Sequence, residues 1–143
     1  KACTSYLASV QTVDEIKATL QTFLDAFSKL DLETMINCFT DDSTAFFPSE
    51  HQRERLVGKT SIKNAFANVI AKVKRSGADN LKLEAEDVIT QRFGDIALVT
   101  FQIFDTQTSR RTLVMKRDIE GWRVIHMHAS NAPPKPTQRE AKP

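Results

Sequence analysis

The sequence is poor in glycine, with four in 143 residues, and contains no GxGxxG or GxxxxGK[ST] stretch. A glycine-rich loop cradling phosphates is therefore excluded. Cysteine is scarcer still. Cys3 and Cys38 are the two present, with no CxxC, so neither zinc nor thioredoxin-type chemistry finds its ligands at the needed spacing. The two cysteines can pair in an oxidising compartment or stay as free thiols. No apolar run approaches the roughly 20 residues of a membrane-spanning helix. No GxSxG occurs, which removes the nucleophile elbow. Charge of one sign is also lacking. The net charge is +2, and the tail from Lys135 supplies it through Lys135, Arg139 and Lys142 against Glu140. The body is neutral, whereas a nucleic-acid binder needs a basic face. Arg110, Arg111, Lys116, Arg117 and Arg123 gather late in the chain and read as solvated strand positions. No initiator methionine opens the sequence, which starts at Lys1. A removed signal peptide would put the protein in the periplasm or outside the cell; otherwise the cytoplasm is expected.

What is present is ordinary globular chemistry. Apolar residues make up 41% and charged residues 27%, enough for one core and one domain of the usual 100–200 residues. Residues 1–12 carry no clear period and read as an extension. Residues 13–132 read as a single domain. Pro133, Pro134 and Pro136 forbid regular structure, so 133–143 reads as a flexible tail.

Thr12-Val13-Asp14-Glu15 has the form of a capping box. Ile16, Leu20, Phe23, Phe27 and Leu30 follow at spacings of three and four, one stripe of an amphipathic helix. Asp31 opens a second short helix with Leu32, Met35, Ile36 and Phe39 inward, ended by the turn cluster 40–43. Thr44–Pro48 is expected as a short strand and 49–55 as a loop. After Gly58, the residues Ile62, Phe66, Val69, Ile70 and Val73 line one face of a third helix, stopped at Gly77. From Leu81 the period becomes two, with a slip near Asp87-Val88 that predicts a bulge. Strands are expected over 96–104, 110–117 and 122–130. The order α-α-β-α-β-β-β-β, helices early and an antiparallel meander late, belongs to the α+β class. A curved antiparallel sheet wrapped around the long N-terminal helix buries both stripes.

The motifs Thr44-Ala45-Phe46-x-Pro48, Leu56-Val57-Gly58 and Trp122-Arg123-Val124-Ile125-His126-Met127-His128-x-Ser130 sit inside this pattern. Together they resemble the SnoaL-like, or nuclear transport factor 2-like, superfamily. Within it they resemble the association (hub) domain of calcium/calmodulin-dependent protein kinase II and its free-standing bacterial relatives. The resemblance implies a cone-shaped, cystatin-like fold, subunit assembly and a pocket for small carboxylates. In that family the pocket uses a histidine on the third helix and arginines on three strands. The matching positions here are Ile62, Ile103 (or Gln102, depending on a gap near Asp95), Leu113 and Ala129. Apolar groups replace the polar ones, which removes the basis for carrying over that pocket.

Strand parity sorts the remaining residues. Phe101, Ile103, Leu113, Met115, Ile125, Met127 and Ala129 form a wholly apolar set, assigned to the concave face. With Phe23, Phe27, Phe47, Ile62 and Phe66 they make either a filled core or a cavity for an apolar or aromatic molecule. Arg111, in phase with Leu113, can stand at its mouth and take an anionic end. Phe104, Val114, Trp122, Val124, His126 and His128 fall in the opposite set, which is too apolar for open solvent. That set is assigned to a homodimer interface of back-to-back sheets. His126 and His128 lie on one strand face, roughly 7 Å apart. They read as structural or interface groups, ahead of acid–base or metal-binding roles, and no metal or cofactor is expected. Asp87 and Asp25 are the best acidic candidates for a buried base, and both read more simply as solvated carboxylates. The expected function is a small stand-alone, non-catalytic module that binds a small molecule or assembles with itself. The alternatives are a cofactor-independent SnoaL-type isomerase, cyclase or lyase, and a ring-forming scaffold.

Overall fold

The computed structural model describes residues 2–48, 52–104 and 107–134, with side chains from residue 13 onward. Helix α1 (Ala2–Ser28) presents Ile16, Leu20, Phe23, Leu24 and Phe27 to the interior, as their spacing requires. It begins ten residues before the Thr12–Glu15 box, so that box lies within a helix and marks no start. The helix ends through Asp31 N–H donating to the Ala26 carbonyl at 2.8 Å, with Leu30 in the left-handed region at φ 59°. Leu30 takes a position that favours glycine. Its side chain is buried, and that burial offsets the backbone strain.

Helix α2 (Leu32–Asn37) is capped by Asp31, which accepts from Thr34 N–H. The chain then enters β1 (Phe39–Phe46) at once, so the expected turn over 40–43 is strand instead. A short β2 (Leu56–Val57) pairs with β1, and Gly58, at φ 90°, turns the chain into α3 (Lys59–Arg75). Ile62, Phe66 and Ile70 are the buried face of α3. Strand β3 (Ala85–Phe93) starts later than the alternation predicts. Leu81 and Leu83 pack against the core from outside any strand. The bulge near Asp87 is present, with a register shift between Glu86 and Ile89 and Asp87 at φ 54°.

Strands β4 (Ile96–Phe104), β5 (Thr108–Asp118) and β6 (Gly121–Asn131) complete a six-stranded sheet in the order β2-β1-β6-β5-β4-β3. The meander β3 to β6 is antiparallel, but β6 meets β1 in parallel. Helices α1, α2 and α3 share one core with the sheet's inner face.

One detail of β6 changes the face assignments. The β5–β6 register shifts between Val114 and Met115, where His126 and Val124 are the partners, leaving Ile125 as the extra residue. A bulge of this kind flips side-chain parity beyond it. Trp122 and Val124 therefore enter the core, at 4% and 0% exposure, and are not interface residues. Ile125 leaves the concave set and is half-buried.

Candidate functional site

The inner face divides into a closed end and an open end. At the closed end Met35, Phe39, Ile62, Leu113, Met115 and Val124 are sealed. Phe23 packs edge-on to Phe39 at 5.7 Å and to Phe66 at 6.0 Å between ring centroids, which is favourable aromatic geometry. Phe101, Ile103 and Ala129 are equally enclosed. Seven of the candidate pocket residues (Phe23, Ile62, Phe101, Ile103, Leu113, Met115 and Ala129) are buried in this packing and do not line the cavity at the other end.

The open end is different. A cavity of about 260 Å³ is lined by Phe27, Phe47, Pro48, Phe66, Val69, Arg111, Met127 and Asn131. Five of these (Phe27, Phe47, Phe66, Arg111 and Met127) were expected from the sequence, and the structure brings them together. Phe66 is the pivot. Its ring lies 5.7 Å from Phe27 and 4.8 Å from Phe47, while its other neighbours, Phe23 and Phe39, belong to the sealed cluster. Pro48, Val69 and Asn131 are not among the pocket residues expected from the sequence. Val69 was legible, since it shares a helix face with Phe66. Asn131 was not, because its place depends on the strand running one residue past the expected end.

Arg111 opposes Phe101 across β4–β5 and Ala129 across β5–β6, so it sits on the inner, apolar face. Its Nε donates to Ser109 Oγ at 3.1 Å. Burial pushes its pKa down to about 10, which leaves it cationic at neutral pH. Among the described residues no carboxylate pairs with it.

Neither acidic candidate reaches this cavity. Asp25 is exposed on α1, where it accepts from Gln21 Nε2 at 2.7 Å, and Asp87 is exposed at the β3 bulge. Cys38 is buried and its thiol is pushed up to about 11 by desolvation, which makes it a poor nucleophile. The side chain of Cys3, and with it the pairing question, lies outside the described residues.

The outer face carries Phe104, Val114, His126 and His128 as parity predicts. Thr44 Oγ1 and His126 Nδ1 lie 2.7 Å apart. The Phe46 ring contacts both imidazoles, at 5.9 and 5.3 Å, and the Arg55 guanidinium lies over that ring at 5.4 Å. Desolvation, then the neighbouring His128 and Arg55, lower the His126 pKa. Among the described residues no three histidine, cysteine or acidic side chains are grouped to hold a metal. None of the described helices is long and apolar enough to cross a membrane.

The family model described as the SnoaL-like domain matches residues 16–134. Similar solved structures include an NTF2-like protein with a cystatin-like fold from Novosphingobium aromaticivorans. It is 12% identical at TM-score 0.75, over 90% of this chain and 87% of that one. An NTF2-like protein of unknown function from Pseudomonas putida is 20% identical at TM-score 0.73, over 91% and 95%. The CaMKII hub of S. rosetta is 22% identical at TM-score 0.66, over 83% and 95%. Identities this low establish the fold alone. No curated protein matches the chain.

Proposed function

The chain belongs to the SnoaL-like domain family, and from that premise we propose that it is a non-catalytic module binding one small apolar or aromatic molecule in the open end of its cone. The observation that carries this reading is the lining of the 260 Å³ cavity. Three aromatic rings, a proline, a valine and a methionine form its walls, and no acidic or imidazole group is among the described lining residues. Ligand sites are mostly apolar with few polar groups, which this lining matches. An isomerase, cyclase or lyase of this fold needs a base inside the cone. Asp25 and Asp87 lie outside it, which favours binding over catalysis. Calorimetric titration with 2-phenylethanol tests the reading. Saturable binding is expected, and Met127→Trp, which fills the cavity, is expected to abolish it. No heat of binding up to millimolar ligand would overturn it.

A second reading, self-assembly, rests on the outer face of the sheet. Phe93 and Phe104 are 66% and 64% exposed there, at opposite ends of the β3–β4 pair, with Ile89, Leu98 and Val114 on the same face between them. Monomers rarely leave such a patch uncovered. A homodimer through this face accounts for it, and native mass spectrometry of the wild type and of Phe104→Asp tests the point. A dimer that becomes a monomer in the variant is expected. A wild-type monomer at micromolar concentration would refute it, and a larger ring would replace it with a hub-like scaffold.

A further inference from the structure

We propose that the molecule held in this cavity is an aromatic monocarboxylate whose carboxylate is received by Arg111. This rests on the small-molecule reading above and names its ligand class. The argument begins from how the late arginines are placed. Arg117 pairs with Asp95 at 3.1 Å, and Arg123 pairs with Asp118 at 2.6 Å and Glu120 at 3.2 Å. Arg110 is exposed to solvent. Arg117 shares the strand phase of Arg111 and lies over the Trp122 ring at 5.9 Å, but it is exposed and paired. Arg111 alone among these lines the cavity of rings, without an acidic partner among the described residues. A partly buried, unpaired cation destabilises a fold, and a matching anion relieves that penalty.

The local geometry prepares the group for an anion. Its Nε is occupied by Ser109 Oγ at 3.1 Å, which holds the side chain and leaves the two terminal nitrogens as donors. That end of a guanidinium fits a carboxylate through two parallel hydrogen bonds. Asn131 lines the same cavity and adds an amide beside the cation. No second cation is among its described lining residues, so a monoanion is matched better than a phosphate dianion, and a ligand amine would meet the guanidinium's like charge. Size sets the remaining limit. A cavity of about 150 Å³ holds benzene, so about 260 Å³ holds one ring with a short acidic side chain. The positions that resemble the kinase-hub carboxylate site are Ile62, Ile103 (or Gln102), Leu113 and Ala129, none of them a cation, so Arg111 stands apart from that resemblance.

Three probes of one carbon skeleton separate the possibilities: phenylacetate, 2-phenylethanol and 2-phenylethylamine. Each is titrated into the full chain and into Arg111→Met, with binding followed by calorimetry and stability by thermal unfolding. Phenylacetate is expected to bind the wild type about 10- to 100-fold more tightly than the alcohol, as charge-assisted hydrogen bonds imply, and the amine more weakly than either. In Arg111→Met the preference for phenylacetate should vanish while the alcohol still binds, and the ligand-free melting temperature should hold or rise. Equal affinity of the acid and the alcohol for the wild type would overturn the carboxylate assignment and leave the binding module standing. Loss of both ligands in Arg111→Met, with a lower melting temperature, would make the arginine structural and likewise overturn it. Binding of none of the three would overturn both readings.

Discussion

The two ends of the inner face are built from the same helices and strands, yet one is sealed and the other is open. At the closed end Phe23, Phe39, Met115 and Val124 are almost without exposure. At the open end Phe47 is only half-buried and Arg111 intrudes where an aliphatic side chain would close the gap. The difference teaches that an apolar strand face does not by itself distinguish core from pocket. What decides is whether facing side chains fill the volume between them. Phe66 belongs to both ends, so the rigidity of the sealed cluster positions one wall of the cavity.

The largest expected effect breaks the closed end. Phe23→Ala should lose about 3–5 kcal/mol and Met115→Ala about 2–5, because the surrounding packing cannot collapse fully. Phe47→Ala should lose only about 1 kcal/mol, since much of that ring faces the cavity. Urea unfolding of the three variants checks the contrast, and equal losses would erase the division between the ends.

A second effect sharpens the division from the ligand side. Filling the open end by Met127→Trp should remove binding while changing the melting temperature by only about 4 °C or less. Thermal unfolding beside the calorimetric titration reads both quantities. Loss of the folded state would mean that Met127 belongs to the sealed core.

A third effect uses pH. The half of β6 over the cavity holds both histidines, and the half over the closed end holds none. His126 is faced by Thr44, Phe46 and Arg55 from β1 and the loop before β2, by His128 on its own strand, and by Val114 on β5. Its pKa is lowered on folding, so the unfolded chain binds the proton more readily. Stability should therefore be fully present above about pH 6.5 and fall as the pH drops from there through the folded-state value. His126→Gln should flatten that slope in urea titrations at fixed protein concentration. An unchanged slope would transfer the effect to another group. The smallest effect is expected at Ile119, which is fully exposed in the β5–β6 turn, where Ile119→Ser should change stability by about 0.5 kcal/mol or less.

Much of this division was legible before the structure. Helical spacing gave Phe23, Phe27 and Phe66 a common interior, and the boundaries of β4 follow directly from its apolar run between two turns. Arg111 was legible as inward-facing from its phase with Leu113. The rest was hidden for physical reasons. A single extra residue at Ile125 inverted the parity of Trp122 and Val124, and nothing local in the sequence announces a bulge between two strongly apolar residues. The parallel pairing of β1 with β6 is non-local and leaves no trace in either strand. The Thr12–Glu15 box has the form of a helix start and yet lies inside α1, since the same residues are compatible with a helix interior. Whether the apolar set was core or cavity depended on volumes, which residue types alone do not give.

The chain contains three methionines, and they report on both ends at once. Met35 and Met115 are sealed in the closed core, and Met127 lines the cavity. Methyl NMR of methionine-labelled protein, titrated with phenylacetate, follows all three in one spectrum. Saturable shifts confined to Met127 are expected. Three unmoved methyls, or shifts at Met35 and Met115 as large as those at Met127, would contradict a ligand site at the open end of the cone.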